Sequence, residues 1–248
     1  AKTAAFYREH IELPFFRQFL KGDTNNPLPE ATVFMTGLNQ WRRFDAWPPL
    51  TVREQTLFFH PGGNLAFAPP TDGAAPFDEY VSDPAKPVPF TLEVTTGYPR
   101  GYPVHDQRFA ASRPDVLVYE TEPLEEDLTF AGPLHVKLYV TTTGTDADWV
   151  VKLMDVYDAD FPNPDPNPAY VVMGGYQQLV RGDVMRSRFR NSFETPEALV
   201  PGQVTKIEFT MPDVCHTFRR GHRVMVHVQS SWFPLVDRNP QTFVNIAT

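Results

Sequence analysis

The chain has one cysteine, Cys215, so no disulfide can form within it. That neither demands a reducing compartment nor excludes an oxidising one. No apolar run approaches the ~20 residues that a membrane-spanning helix needs, and the amino end carries no leader-peptide pattern. Basic charge is scarce too. Lysine and arginine number 22 against 30 acidic residues, a formal charge of −8. Such a chain has no electrostatic reason to hold nucleic acid or anionic lipid. There is no H-E-x-x-H or H-x-x-x-H run, and a lone cysteine has no C-x-x-C partner, so no metal-ligand spacing is present. Asp146, Asp148, Asp155, Asp158, Asp160 and Asp165 are crowded, yet no D-x-D-x-D-G calcium loop occurs. Ion pairs or turn amides are the expected partners of Asp148 and Asp155. No cofactor and no metal are expected.

What is present points to β-structure. Apolar residues make up 42% of the chain, enough for a packed core, and the 26 prolines are spread between strand-like runs. That pattern favours many short connections between strands over a helical bundle. In Arg223 to Ser230, Val224, Val226 and Val228 alternate with Met225, His227 and Gln229. A period of two with one apolar side is the mark of a half-buried strand. Leu134 to Val140, within a strand expected from Leu134 to Thr142, and Val204 to Met211 alternate in the same way. Further strands are expected at Gln55 to His60, Asp78 to Ser82, Val116 to Thr121, Asp127 to Gly132, Asp148 to Asp158 and Val184 to Phe189. Long strands with one polar face predict a two-sheet sandwich. Asp160 to Pro168 is too proline-rich for helix or sheet. Residues 4 to 20 place Phe6, Ile11, Leu13, Phe16, Phe19 and Leu20 at helical spacing, with Gly22 as a stop and Pro14 as a kink or a first turn. A polar linker, 21 to 29, leads to a short strand, Ala31 to Thr36.

Local chemistry is thin. Ser230 and Ser231 lie near His216, His222, His227 and Asp237 in sequence, but nothing there encodes a strained nucleophile turn or an oxyanion hole. Their hydroxyls are expected to bond backbone groups. Trp149 alternates with Val151 and Leu153 and is expected in the core.

Four blocks carry a family resemblance. PFFRQFLKG (Pro14 to Gly22), ATVFMTGLNQWRRFDAWPP (Ala31 to Pro49), the run from His105 to Tyr157, and FRRGHRVMVHVQSSWFPLVDRNPQT (Phe218 to Thr242) resemble, in order and spacing, the C-terminal portion of the α-amino-acid ester hydrolases. That group includes the glutaryl-cephalosporin acylases, cocaine esterase and the X-Pro dipeptidyl-peptidases. The resemblance implies a mainly-β fold: a jelly-roll sandwich over 48–248, preceded over 1–47 by the last helix and strand of an α/β-hydrolase domain. It implies a serine hydrolase that cleaves esters or amides through an acyl-enzyme. The serines here, at 82, 112, 187, 192, 230 and 231, include none in a G-x-S-x-G elbow, and the G-P-W-x-H type run is missing. The catalytic Ser, Asp and His are therefore expected upstream of Ala1, with no catalytic residue in this chain. Phe16, Phe19, Trp41 and Trp47 are the candidate domain-interface residues. The expected partners are the catalytic α/β-hydrolase portion of the same protein and further copies of it in a homo-oligomer, with no nucleic acid and no membrane. A periplasmic or secreted parent is the localisation the resemblance favours. Family jelly rolls run on past the DRNP segment to a final strand pair, so an unpaired sheet edge is expected. The alternative reading is a non-catalytic jelly-roll module that binds carbohydrate or protein.

Overall fold

In a computed structural model of the protein, the described residues are 3–245 apart from 24, 26, 72–76, 94, 96 and 100. The expected linker at 21–29 thus falls partly outside them. The chain opens with helix α1 (Thr3–Tyr7), a widened π turn (Arg8–Glu12) and helix α2 (Leu13–Lys21). Pro14 sits in the first turn of α2. It has no N–H to donate, and its ring crowds the carbonyl four residues back, so the turn before it loosens rather than the helix breaking. Gly22 ends α2 at φ 67°, and its N–H closes on the Arg17 carbonyl.

A hairpin follows, β1 (Ala31–Met35) against β2 (Gln40–Phe44). Its turn is fixed to the rest of the fold at Gly37. The φ there is 81°, and a Cβ would stand 1.9 Å from the Thr217 carbonyl oxygen. Only glycine allows that approach.

The remaining strands build a sandwich. The larger sheet runs β3 (Phe58–His60), β4 (Asn64–Ala66), β5 (Val116–Glu120), β10 (Arg223–Gln229), β7 (Asp148–Val156), β8 (Gln177–Arg186). The smaller sheet pairs β6 (Leu128–Val140) with β9 (Thr205–Phe218), antiparallel, with a bulge between Gly132 and Leu134. The two runs expected at Asp127 to Gly132 and Leu134 to Thr142 are therefore one bent strand. Among the described residues β6 has no strand on its other edge. Between the sheets, Val136, Leu138, Ile207 and Phe218 meet Trp149, Val151, Leu153, Val224, Val226 and Val228. Each such side chain is worth roughly 1.5–3 kcal/mol relative to exposure.

Three expectations fail. Asp78 to Ser82 forms no strand. Its Tyr80 is spent on core contact and on a 2.6 Å hydrogen bond to Ser230, not on a ladder. The strand expected at Val184 to Phe189 begins earlier, at Gln177, and ends at Arg186 in a 3-10 turn, Ser187–Phe189. Most importantly, the second face of the larger sheet is not solvated. Met225, His227 and Gln229 are buried, as is every residue of β7. Segments around Val88–Phe90 and Trp232–Val236 return across that face and clamp each other: the Phe90 and Phe233 amides donate to the Phe233 and Val88 carbonyls, both at 2.9 Å. Short α3 (Arg108–Ala111) adds Ala110 to the same cover.

Candidate functional site

The N-terminal helix has little of its own surface covered. No residue of the helix is buried. Phe16 is 50% exposed, Phe19 63% and Leu20 76%, with Leu13 and Phe15 alongside. Phe15 touches both Phe16 and Phe19, so the exposed rings form one patch. A contiguous apolar patch on a helix marks a contact surface.

The opposite side of the helix rests on the hairpin. Phe6 stacks on Trp41 at 4.7 Å between ring centres and 12° between planes, and Trp41 meets the edge of Phe34 at 5.4 Å. Trp41 also lines a cleft of about 400 Å³ with Thr3, Tyr7 and Glu12. Trp47 packs on Phe44, and its indole N–H donates to the Asp213 carboxylate of β9. The next residue, Pro48, lies over Gly132 of β6, where a Cβ would come within 2.8 Å of it. Of the four sequence candidates, Phe16 and Phe19 thus face outward. Trp41 joins helix to hairpin, and Trp47 ties the hairpin exit to the sandwich.

A buried polar relay, invisible in the sequence, makes the second tie. Thr36 follows β1 and bridges to His216 of β9: its amide donates to the Cys215 carbonyl at 3.0 Å and its carbonyl accepts from Thr217 at 3.0 Å. The Thr36 hydroxyl lies 2.7 Å from His216 Nδ1, and His216 Nε2 lies 3.0 Å from Asp155 Oδ2. His222 Nδ1 reaches the other carboxylate oxygen at 2.8 Å. Burial pushes the Asp155 carboxyl up, but the two histidine N–H bonds outweigh it and hold the group below its ordinary value. Hydroxyl, imidazole and carboxylate stand in the order of a nucleophilic triad. His216 and Asp155 are each 1% exposed, however, and the half-buried Thr36 hydroxyl is already engaged by His216 and the Cys215 carbonyl, as a structural tie would be. The arrangement locks the hairpin to the sandwich.

The other candidates resolve into structural roles. Ser231 accepts a hydrogen bond from the Val88 amide at 2.8 Å, as expected, whereas Ser230 bonds the Tyr80 hydroxyl instead of backbone. Asp237 pairs with Arg186, not with a histidine. Asp148 pairs with Arg186 at 2.8 Å and Asp146 with Arg188 at 2.7 Å, while Asn239 donates to both carboxylates. Among the described residues no cluster of histidine, cysteine and carboxylates could hold a metal ion, and no helix is long and apolar enough to cross a membrane. Trp149 and Trp232 are buried and the other two tryptophans are half-buried, so none offers an exposed platform for a sugar ring. A groove of about 490 Å³ lies between β8 and β9. Its Arg190 and Asn191 are committed to Glu197 and to backbone carbonyls.

Comparison with known proteins places these features. Residues 24–245 match the family described as the X-Pro dipeptidyl-peptidase C-terminal non-catalytic domain. Cocaine esterase from Rhodococcus sp. (strain MB1 Bresler) is 30% identical over 239 residues, which are 92% of this chain and 39% of that protein. An aminopeptidase from a marine sediment Thaumarchaeota archaeon superposes with a TM-score of 0.89 at 44% identity, over 98% of this chain and 40% of its own. An α-amino-acid ester hydrolase superposes with the same score, identity and coverage. The chain spans about two fifths of the length of each.

Proposed function

Because this chain belongs to the X-Pro dipeptidyl-peptidase C-terminal non-catalytic domain family, we propose that it serves as the structural portion of a serine hydrolase whose catalytic portion docks on the α2 face. The chemistry is ester or amide cleavage through an acyl-enzyme, on substrates such as α-amino-acid esters or β-lactam side-chain amides. The Ser, His and Asp that perform it belong to the polypeptide ahead of residue 1. Here Trp47 and the Thr36 relay fix helix and hairpin rigidly on the sandwich. The sandwich then braces the hydrolase portion, walls its cleft and contributes to contact between copies of the whole protein.

The observation that carries this reading is the apolar patch of Phe15, Phe16, Phe19 and Leu20 on a helix with no buried residue. Left in water, each phenylalanine forgoes roughly 1.5–3 kcal/mol of burial. The test is the double change Phe16→Asp and Phe19→Asp in the full-length polypeptide. Both its melting temperature and its esterase activity are expected to fall, while the same change leaves the melting of this 248-residue chain nearly unaltered. Unchanged melting and activity of the full-length variant would overturn the docking role.

A further inference from the structure

The buried face of the larger sheet carries a polar row that the chain leaves unsatisfied. Lys152 on β7 and His227 on β10 stand directly opposite each other, and both are 0% exposed. The Lys152 ammonium makes one hydrogen bond, 3.2 Å to Gln107 Oε1, a neutral amide. Neither ring nitrogen of His227 has a partner, nor does the Trp232 indole N–H, nor Gln229 Oε1. The neighbours in the row supply nothing more: β5 contributes Val118, and β8 contributes Gly182. A Cβ at Gly182 would stand 2.9 Å from the Trp232 ring and 3.0 Å from Lys152 Cγ. The indole thereby lies close over the lysine, 5.6 Å from Nζ to the ring centre. Apolar clusters around Val88, Phe90 and Met154 line this face. Among the described residues Lys152 has no ion-pair partner, and Asp106, beside Gln107, is already paired with Arg108.

We propose that this row is a binding site for one small monovalent anion of the halide class, held by the Lys152 ammonium and the N–H groups of His227 and Trp232. The uncompensated charge of Lys152 selects that ligand. With Lys152 charged and His227 neutral, two ammonium hydrogens, one imidazole N–H and one indole N–H seek acceptors. The unpartnered buried acceptors are the second imidazole nitrogen, Gln229 Oε1 and Gln177 Oε1, and all of them are neutral. Water can meet those N–H groups but carries no charge to offset the ammonium. A halide only accepts, and it also supplies the missing negative charge, without which a buried ammonium is costly. Burial and then the nearby Lys152 push His227 well below its ordinary range, which keeps the ring neutral with a single N–H. Burial moves Lys152 down to about 7, so proton and anion should enter together.

The experiment is thermal melting of the chain at constant ionic strength, with sodium bromide or chloride exchanged for sodium methanesulfonate, at pH 6 and pH 9. At pH 6 the halide should raise Tm by about 3–6 °C once its concentration is tenfold above its dissociation constant. The rise should shrink at pH 9 and vanish in Lys152→Met. Equal halide responses in the parent and Lys152→Met, or none in either, would overturn the proposal. Should that variant fail to fold, bromide-soaked crystals of the parent decide: an anomalous peak within hydrogen-bonding reach of Lys152 Nζ and His227 supports the site. A water there, with no bromide, overturns it.

Discussion

Replacing Asp155 by alanine tests the relay that joins the N-terminal unit to the sandwich. The substitution removes a 1%-exposed carboxylate and leaves the N–H groups of His216 and His222 without acceptors. Breaking a buried pair from one side costs about 3–5 kcal/mol. For a chain of this size that is a fall in Tm of roughly 6–20 °C. Asp160→Ala, at an exposed position, is the control and should stay within about 0.5 kcal/mol of the parent. The pH dependence gives a second reading of the same contact. The Asp155 pKa is depressed in the fold from 3.8, so its contribution is fully present above 3.8 and is lost as pH falls through the lower, folded value. The gap between parent and variant should therefore be flat from pH 5 to 8 and close in strong acid. Scanning calorimetry across pH measures both effects. An Asp155→Ala chain that melts within about 2 °C of the parent, a loss of roughly 0.5–1 kcal/mol, would refute the reasoning.

Further outcomes follow from other contacts. In halide-free buffer Lys152 should make the chain more stable as pH rises from about 7 towards 10.5, because the unfolded lysine holds its proton over that range and the folded one does not; Lys152→Met should abolish that slope in urea titrations. Val226→Asp places an unpaired carboxylate between the sheets and should unfold the chain at 37 °C, read by circular dichroism; a cooperative melt within a few degrees of the parent would mean that Val226 is not enclosed there. Gly37→Ala adds a Cβ where the Thr217 carbonyl oxygen already stands. It should speed amide exchange in β1 and β2 while leaving that of β7 and β10 unchanged.

The inner core was legible because its strands alternate cleanly. Val224, Val226 and Val228 point one way in sequence and do so in the fold, opposite Val151 and Leu153. The helix and its stop at Gly22 were equally plain. The outer face was not. Met225, His227 and Gln229 alternate with the valines as a solvent-facing row would, and their burial depends on proline-rich segments near 90 and 234 that read locally as turns. Nothing in a turn says which surface it will cross. The relay escaped notice for a related reason. Thr36 and His216 are 180 residues apart and Asp155 and His216 are 61 apart, with no fixed motif between them. What could have hinted at them is Asp155 itself, a charged residue on the apolar side of β7, in step with Val151 and Leu153. A carboxylate there requires donors from a facing element. The ionic pair of Asp148 was anticipated in kind, because a strand-end aspartate in an otherwise apolar run needs a cation, although Arg186 could not be named from sequence.

The most direct test of the central claim is to label the full-length protein with an activated phosphonate and map the modified residue by mass spectrometry. One stoichiometric label is expected, on a serine ahead of residue 1, and none within this chain even when it is labelled alone. Stoichiometric modification of Ser82, Ser112, Ser187, Ser192, Ser230 or Ser231 would contradict it.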